Sequence, residues 1–156
     1  MRKYVILLGI GGVGKTTLVY RLAGIVNPPA PTKRPGIYRV FAKGEWYYIL
    51  DVPGQYVNDI VDTVSRIIHI FFDRALLVYD LTRADTLYAL YEIAEKLCLY
   101  HKCLSAAEIW VVGNKRDLAA RLGVEHKPDL SKLNAQRYVK ISAIYDPLER
   151  LMELLP

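Results

Sequence analysis

The sequence predicts an α/β fold of three layers, α/β/α, in which helices cover both faces of a mostly parallel six-stranded sheet with one antiparallel edge strand. Three observations predict it. Short apolar runs alternate with helix-period stretches from end to end, the pattern of strands buried on both faces and joined by crossover helices. A glycine cluster directly follows the first run. Two other runs are separated only by a tight turn, which forces them to pair as a hairpin.

Residues 3–8 read as the first strand, and Lys15 to about Ala23 as a helix opened by the glycine loop. The segment NPPAPTKRPG, 27–36, is too proline-rich for either and reads as an exposed loop. IYRVF and EWYYILD flank the turn Ala42-Lys43-Gly44 as a hairpin. In VNDIVDTVSRIIHIFF, residues Ile60, Val64, Ile67, Ile68 and Phe71 recur at helical spacing, and the buried strand ALLVYDL follows. Thr86 to about His101 reads as a helix, Glu108–Val112 and Tyr138–Ile141 as the last strands, and Pro147–Leu155 as the closing helix.

No repeat or linker divides the 156 residues, so 1–156 is expected to be one domain. Cys98 and Cys103 match no zinc spacing and read as plain packing thiols. The start MRKYVILLGIGG imitates a signal peptide but runs into the glycine loop without a cleavage site. No run is long enough to span a membrane, residue 2 is Arg, and LMELLP holds no prenylation cysteine. A cytoplasmic protein without lipid anchor or transmembrane segment is expected. The net charge is +5, but the basic residues are interleaved with acids, so a solvated surface is expected and no nucleic-acid partner.

In such sheets ligands sit at the carboxyl ends of the strands, and five segments fall there. Gly9-Ile-Gly-Gly-Val-Gly14-Lys15-Thr16 fits G-x-x-x-x-G-K-[ST] with a strand before it and a helix after it. Its backbone N–H groups, over Gly11, Gly12, Val13 and Gly14, would wrap phosphate; Lys15 would reach the β- and γ-phosphates and Thr16 would offer its hydroxyl to Mg²⁺. In Asn114-Lys115-Arg116-Asp117, the Asp117 carboxylate can accept both the N1–H and the exocyclic amine of guanine. Adenine lacks that donor pair. In Asp51-Val52-Pro53-Gly54-Gln55, Asp51 would hold Mg²⁺ through water, the Gly54 N–H would touch the γ-phosphate, and Gln55 would orient an attacking water. Thr32 is the only hydroxyl between Tyr20 and Tyr38 and the best candidate to close over Mg²⁺ and the γ-phosphate. Ile141-Ser142-Ala143 ends the last strand, where the Ala143 N–H would meet the guanine carbonyl.

Together these segments resemble, in order and over essentially the whole chain, a Ras-superfamily small GTPase of the P-loop NTPase fold. GIGGVGKTT resembles the phosphate loop, Thr32 the first switch, DVPGQ the second-switch DxxGQ, NKRD the base-specificity motif and ISA the serine-alanine loop. GKTTL and Asp-Val before Gly-Gln are similar to Arf proteins, Gly11-Gly12 to Ras, and the proline of DVPGQ to bacterial polarity GTPases. The resemblance implies nucleotide contacts from Thr17, Lys115 and Ser142 as well. It also implies a prokaryotic, archaeal, cytosolic member working with effector, GTPase-activating and exchange proteins. Ile144 departs from the usual lysine after serine-alanine, and no arginine lies just before Thr32 to serve as a built-in arginine finger; Arg34 and Arg39 follow it.

The expected function is a switch that binds Mg²⁺ with GTP or GDP and slowly hydrolyses GTP, with Gln55 and Lys15 catalytic. The alternative is a module that binds GTP without hydrolysing it and presents one permanent state. A small P-loop kinase conflicts with NKRD.

Overall fold

A computed structural model describes residues 2–26, 36–67, 69–101 and 106–156. The strands are β1 (Arg2–Leu8), β2 (Gly36–Ala42), β3 (Glu45–Asp51), β4 (Arg74–Asp80), β5 (Ile109–Asn114) and β6 (Arg137–Lys140). The helices are α1 (Lys15–Ala23), α2 (Val57–Ser65), α3 (Ala84–His101), α4 (Arg116–Leu122) and α5 (Leu148–Met152), with a 3₁₀ turn at Leu130–Leu133. The sheet order is β2-β3-β1-β4-β5-β6. Every neighbouring pair is parallel except the β2–β3 hairpin, as the alternation of runs predicts.

Each face of the sheet buries one apolar layer. Val5, Leu7, Tyr47, Ile49 and Val78 pack with Leu18 and Leu22 of α1 and Leu151 of α5. Ile6, Leu8, Leu77 and Tyr79 pack with Ile60 of α2 and with Leu90 and Ile93 of α3. Alternate residues of β1 thus serve opposite layers, the period-2 consequence of a strand covered on both sides. β4 is buried along its whole length. Its one cation, Arg74, donates to Glu108 and to the Leu154 carbonyl and lies 3.7 Å from the Trp110 ring.

Register brings the strand ends level. Leu7 pairs with Asp51 and Asp80 with Asn114, so the loops after β1, β3, β4 and β5 open on one edge of the sheet.

The structure departs from expectation in five places. α2 ends at Ser65 rather than running to residue 72. Ser65 Oγ donates to the Val61 carbonyl and Thr63 Oγ1 to the Asp59 carbonyl, and i→i+3 bonds from Arg66 and Ile67 tighten the final turn. Phe71, placed on the apolar helix face by spacing, is exposed, while Phe72 is buried. α4 and the 3₁₀ turn had no periodic signal: α4 has seven residues and buries only Ala119. α5 stops at Met152, and Leu154 and Leu155 reach the core from a following turn. Cys98 is disulfide-bonded, which corrects the expectation of a plain thiol; Cys103, the only other cysteine in the sequence, lies outside the described residues. Among the described residues no helix is long and apolar enough to cross a membrane.

Candidate functional site

The phosphate loop leaves β1 at Leu8 and closes into α1 at Lys15. Two glycines are required by contact. A Cβ at Gly9 would lie 2.3 Å from the Val78 carbonyl oxygen, and one at Gly14, whose φ is 95°, would lie 2.3 Å from Asn114 Nδ2. The loop is therefore seated against both β4 and the end of β5, with its backbone wound around the start of α1.

Lys15 is 7% exposed, and its ammonium donates to the Gly9 carbonyl across the loop at 2.6 Å. Burial lowers its pKa, with the Asp51 charge opposing. Thr16 Oγ1 donates to Asp51 Oδ2 at 3.2 Å, and Asp51 Oδ1 is buried without a hydrogen-bond partner. Burial raises the Asp51 pKa against the lowering effect of Lys15 and Thr16. A desolvated carboxylate oxygen left over beside a threonine hydroxyl is a donor set that suits Mg²⁺, which takes one or two protein oxygens and completes its shell with water and phosphate.

Mg²⁺ held at Asp51 would need the ionised carboxylate, so proton and metal would compete there. The Mg²⁺-dependent part of GDP affinity is expected to fall on acidification at a pH above the ordinary aspartate value of 3.8. Calorimetric titration of GDP with Mg²⁺ and with EDTA across pH 4–7 checks this; a flat Mg²⁺ contribution across that range would exclude Asp51 as the metal-side carboxylate.

Gln55 lies beside the phosphate loop. A Cβ on Gly11 would sit 3.3 Å from Gln55 Cγ. Gly54 is packed against α2, its Cβ position 2.7 Å from Ile60 Cγ1. Thr32 lies outside the described residues.

The Asn114–Asp117 segment follows β5. Asn114 is buried: its Nδ2 donates to the Val13 carbonyl at 2.8 Å and its Oδ1 accepts from the Ala143 N–H at 2.9 Å. Lys115 takes a left-handed backbone, φ 66°, and its ammonium reaches the Gly12 carbonyl at 2.8 Å and Asp80 Oδ2 at 3.1 Å. Asp117, in the first turn of α4, accepts from Ser142 Oγ at 2.9 Å. Phosphate loop, NKRD and ISA segments are thereby joined in one network. The Ala143 N–H, expected to face guanine, bonds Asn114 in this structure.

Several residues of this network carry no motif signal. Asp80 accepts from Thr82 N and Oγ1 and from Lys115; burial works against its charge, but these partners outweigh it and lower its pKa. Asp146 is buried and accepts from both terminal nitrogens of Arg116 and from the Ser142 N–H. Arg21 of α1 donates to the carbonyls of Ala143, Ile144 and Asp146. Arg83 Nη1 lies 3.4 Å from the Cβ position of Gly12 and pairs with Asp85. Only an aspartate ending a strand, as Asp80 does, could have been flagged from position.

A phosphate loop between β1 and α1, the Asn114–Asp117 segment after β5 and an acid ending β3 are arranged as in a P-loop GTPase domain. Residues 4–115 match the protein family described as 50S ribosome-binding GTPase, and the chain belongs to that GTPase family. The solved FeoB G-domain from Methanococcus jannaschii is similar, with a TM-score of 0.69 and 25% identity over 97% of this chain and 94% of that one. A search of curated proteins gives no match.

Proposed function

We propose that the chain is a guanine-nucleotide switch of Ras-like character that binds Mg²⁺ with GTP or GDP and hydrolyses GTP slowly. The observation that carries this reading is the convergence of Lys15, the Thr16–Asp51 pair, Gln55 and the Asn114–Asp117 segment on one edge of the sheet. When bound, Mg²⁺ neutralises charge on the β- and γ-phosphates. Lys15 and the loop N–H groups bind the phosphates, Thr16 and Asp51 hold the metal side, Asp117 and Asn114 read guanine, and Gln55 orients water. Thr17, Lys115, Ser142 and Ala143 support the nucleotide, and Thr32 with Gly54 is the pair that responds to the γ-phosphate. Effector, activating and exchange proteins are the partners of such a switch, and a cytoplasmic setting suits it.

Gln55 supplies water positioning but no charge, and Arg83, whose Nη1 lies 3.4 Å from the Cβ position of Gly12, is paired with Asp85. Intrinsic turnover is therefore expected near the roughly 10⁻⁴–10⁻² per second of unassisted relatives, with about 10³–10⁵ more available from a partner's arginine. Gln55→Leu should slow single-turnover phosphate release by at least about tenfold and leave GDP affinity unchanged. No detectable release with wild-type protein, alone or with lysate, would replace the switch by a non-hydrolysing GTP module.

A further inference from the structure

The loop 142–146, which carries the serine-alanine segment, is a turn in which the Asp146 N–H satisfies only the Ser142 carbonyl, so the carbonyls of Ala143, Ile144 and Asp146 need donors from elsewhere. Arg21 provides them from one side: Nη1 reaches Ala143 O at 2.7 Å and Ile144 O at 3.0 Å, and Nη2 reaches Asp146 O at 2.8 Å. Arg116 holds the same loop from the other side through the Asp146 carboxylate, which also accepts from the Ser142 N–H at 2.9 Å. Two residues on, Arg150 Nε lies 3.3 Å from that carboxylate.

Arg21 sits on α1, the helix that begins with Lys15. The helix whose first turn faces phosphate is thus bolted to the loop whose Ser142 hydroxyl donates to Asp117. A second tie runs in parallel, from Val13 through Asn114 to the Ala143 N–H. We propose that Arg21 is a positioning residue for guanine, aligning Ser142 and Asp117 with the base and so setting the rate at which guanine nucleotide leaves. This rests on the GTPase reading above.

The planar guanidinium fork matters, because one side chain spans carbonyls from residue 143 to residue 146. A lysine ammonium is a compact point donor and cannot bridge all three. Charge-assisted bonds to carbonyls are the strong class, and losing the set frees the loop rather than the core.

The test uses the full chain with Arg21→Met, which keeps the stem, and Arg21→Lys, which keeps the charge. Release of a fluorescent GDP chased by excess GDP is expected to be about ten- to a hundredfold faster in Arg21→Met, with Arg21→Lys between it and wild type. Calorimetry with GDP and IDP separates positioning from general loosening. Inosine lacks the 2-amino group that Asp117 would accept, so GDP affinity should fall by at least about threefold more than IDP affinity. Equal losses for the two nucleotides, or unchanged GDP release, would overturn the assignment. If Arg21→Met does not fold, Arg21→Lys carries the same GDP–IDP comparison. Wild-type protein without preference for GDP over ADP would instead overturn the GTPase reading itself.

Discussion

Asp117→Asn is expected to lower GDP affinity by at least about a hundredfold and to raise affinity for XDP, leaving the phosphate contacts intact. The carboxylate is anchored by Ser142 Oγ at 2.9 Å through Oδ1, which fixes its orientation at the mouth of the proposed base site. An amide in its place turns one acceptor into a donor aimed at the guanine amine. Sites built to pair buried donors reject mismatched partners by large factors, up to about 10⁴–10⁵. Xanthine carries a carbonyl where guanine carries the amine, so it accepts what the asparagine donates. Calorimetry of GDP, XDP and ADP on wild type and variant decides it; tight ATP or ADP binding by the wild type would remove the guanine assignment.

Lys15→Met is expected to cost two to three orders of magnitude in GDP affinity, about the loss seen when one partner of a buried charge pair is truncated. The ammonium is already desolvated and held by Gly9, so its attraction to phosphate is little screened. Its effect should depend on the β-phosphate: GMP affinity should change by less than about threefold. A loss as large for GMP as for GDP would mean that the variant has deformed the loop.

The architecture and the motif segments were legible because both rest on local pattern. Buried strands are continuous apolar runs, Gly9–Thr16 announces a loop by glycine spacing, and the motif residues Asp51 and Asn114 are the last residues of their strands. What could not be read depends on pairs distant in sequence. Arg21 and Ala143 are 122 residues apart, and Arg116 and Asp146 are 30 apart; Arg21 and Asp146 each read alone as an ordinary surface charge. The end of α2 was hidden for the opposite reason, since Ile67 keeps apolar spacing while packing on the core from beyond the helix end. The short α4 buries too little to leave a period. Thr32, chosen by elimination, lies outside the described residues.

The single side chain of Asn114, bonded at one end to Val13 and at the other to Ala143, would make the proposed switch a bivalent receptor for a bivalent ligand. Base and diphosphate are tethered in the nucleotide, and the proposed subsites would be tethered in the protein, so occupying one would present the other at high effective concentration. Spacing the subsites is a cost met during folding, not at the moment of capture. Guanosine alone and pyrophosphate alone should therefore bind far more weakly than their joined form, and a polypeptide that prises the 142–146 loop away from Asn114 would release GDP without touching a phosphate.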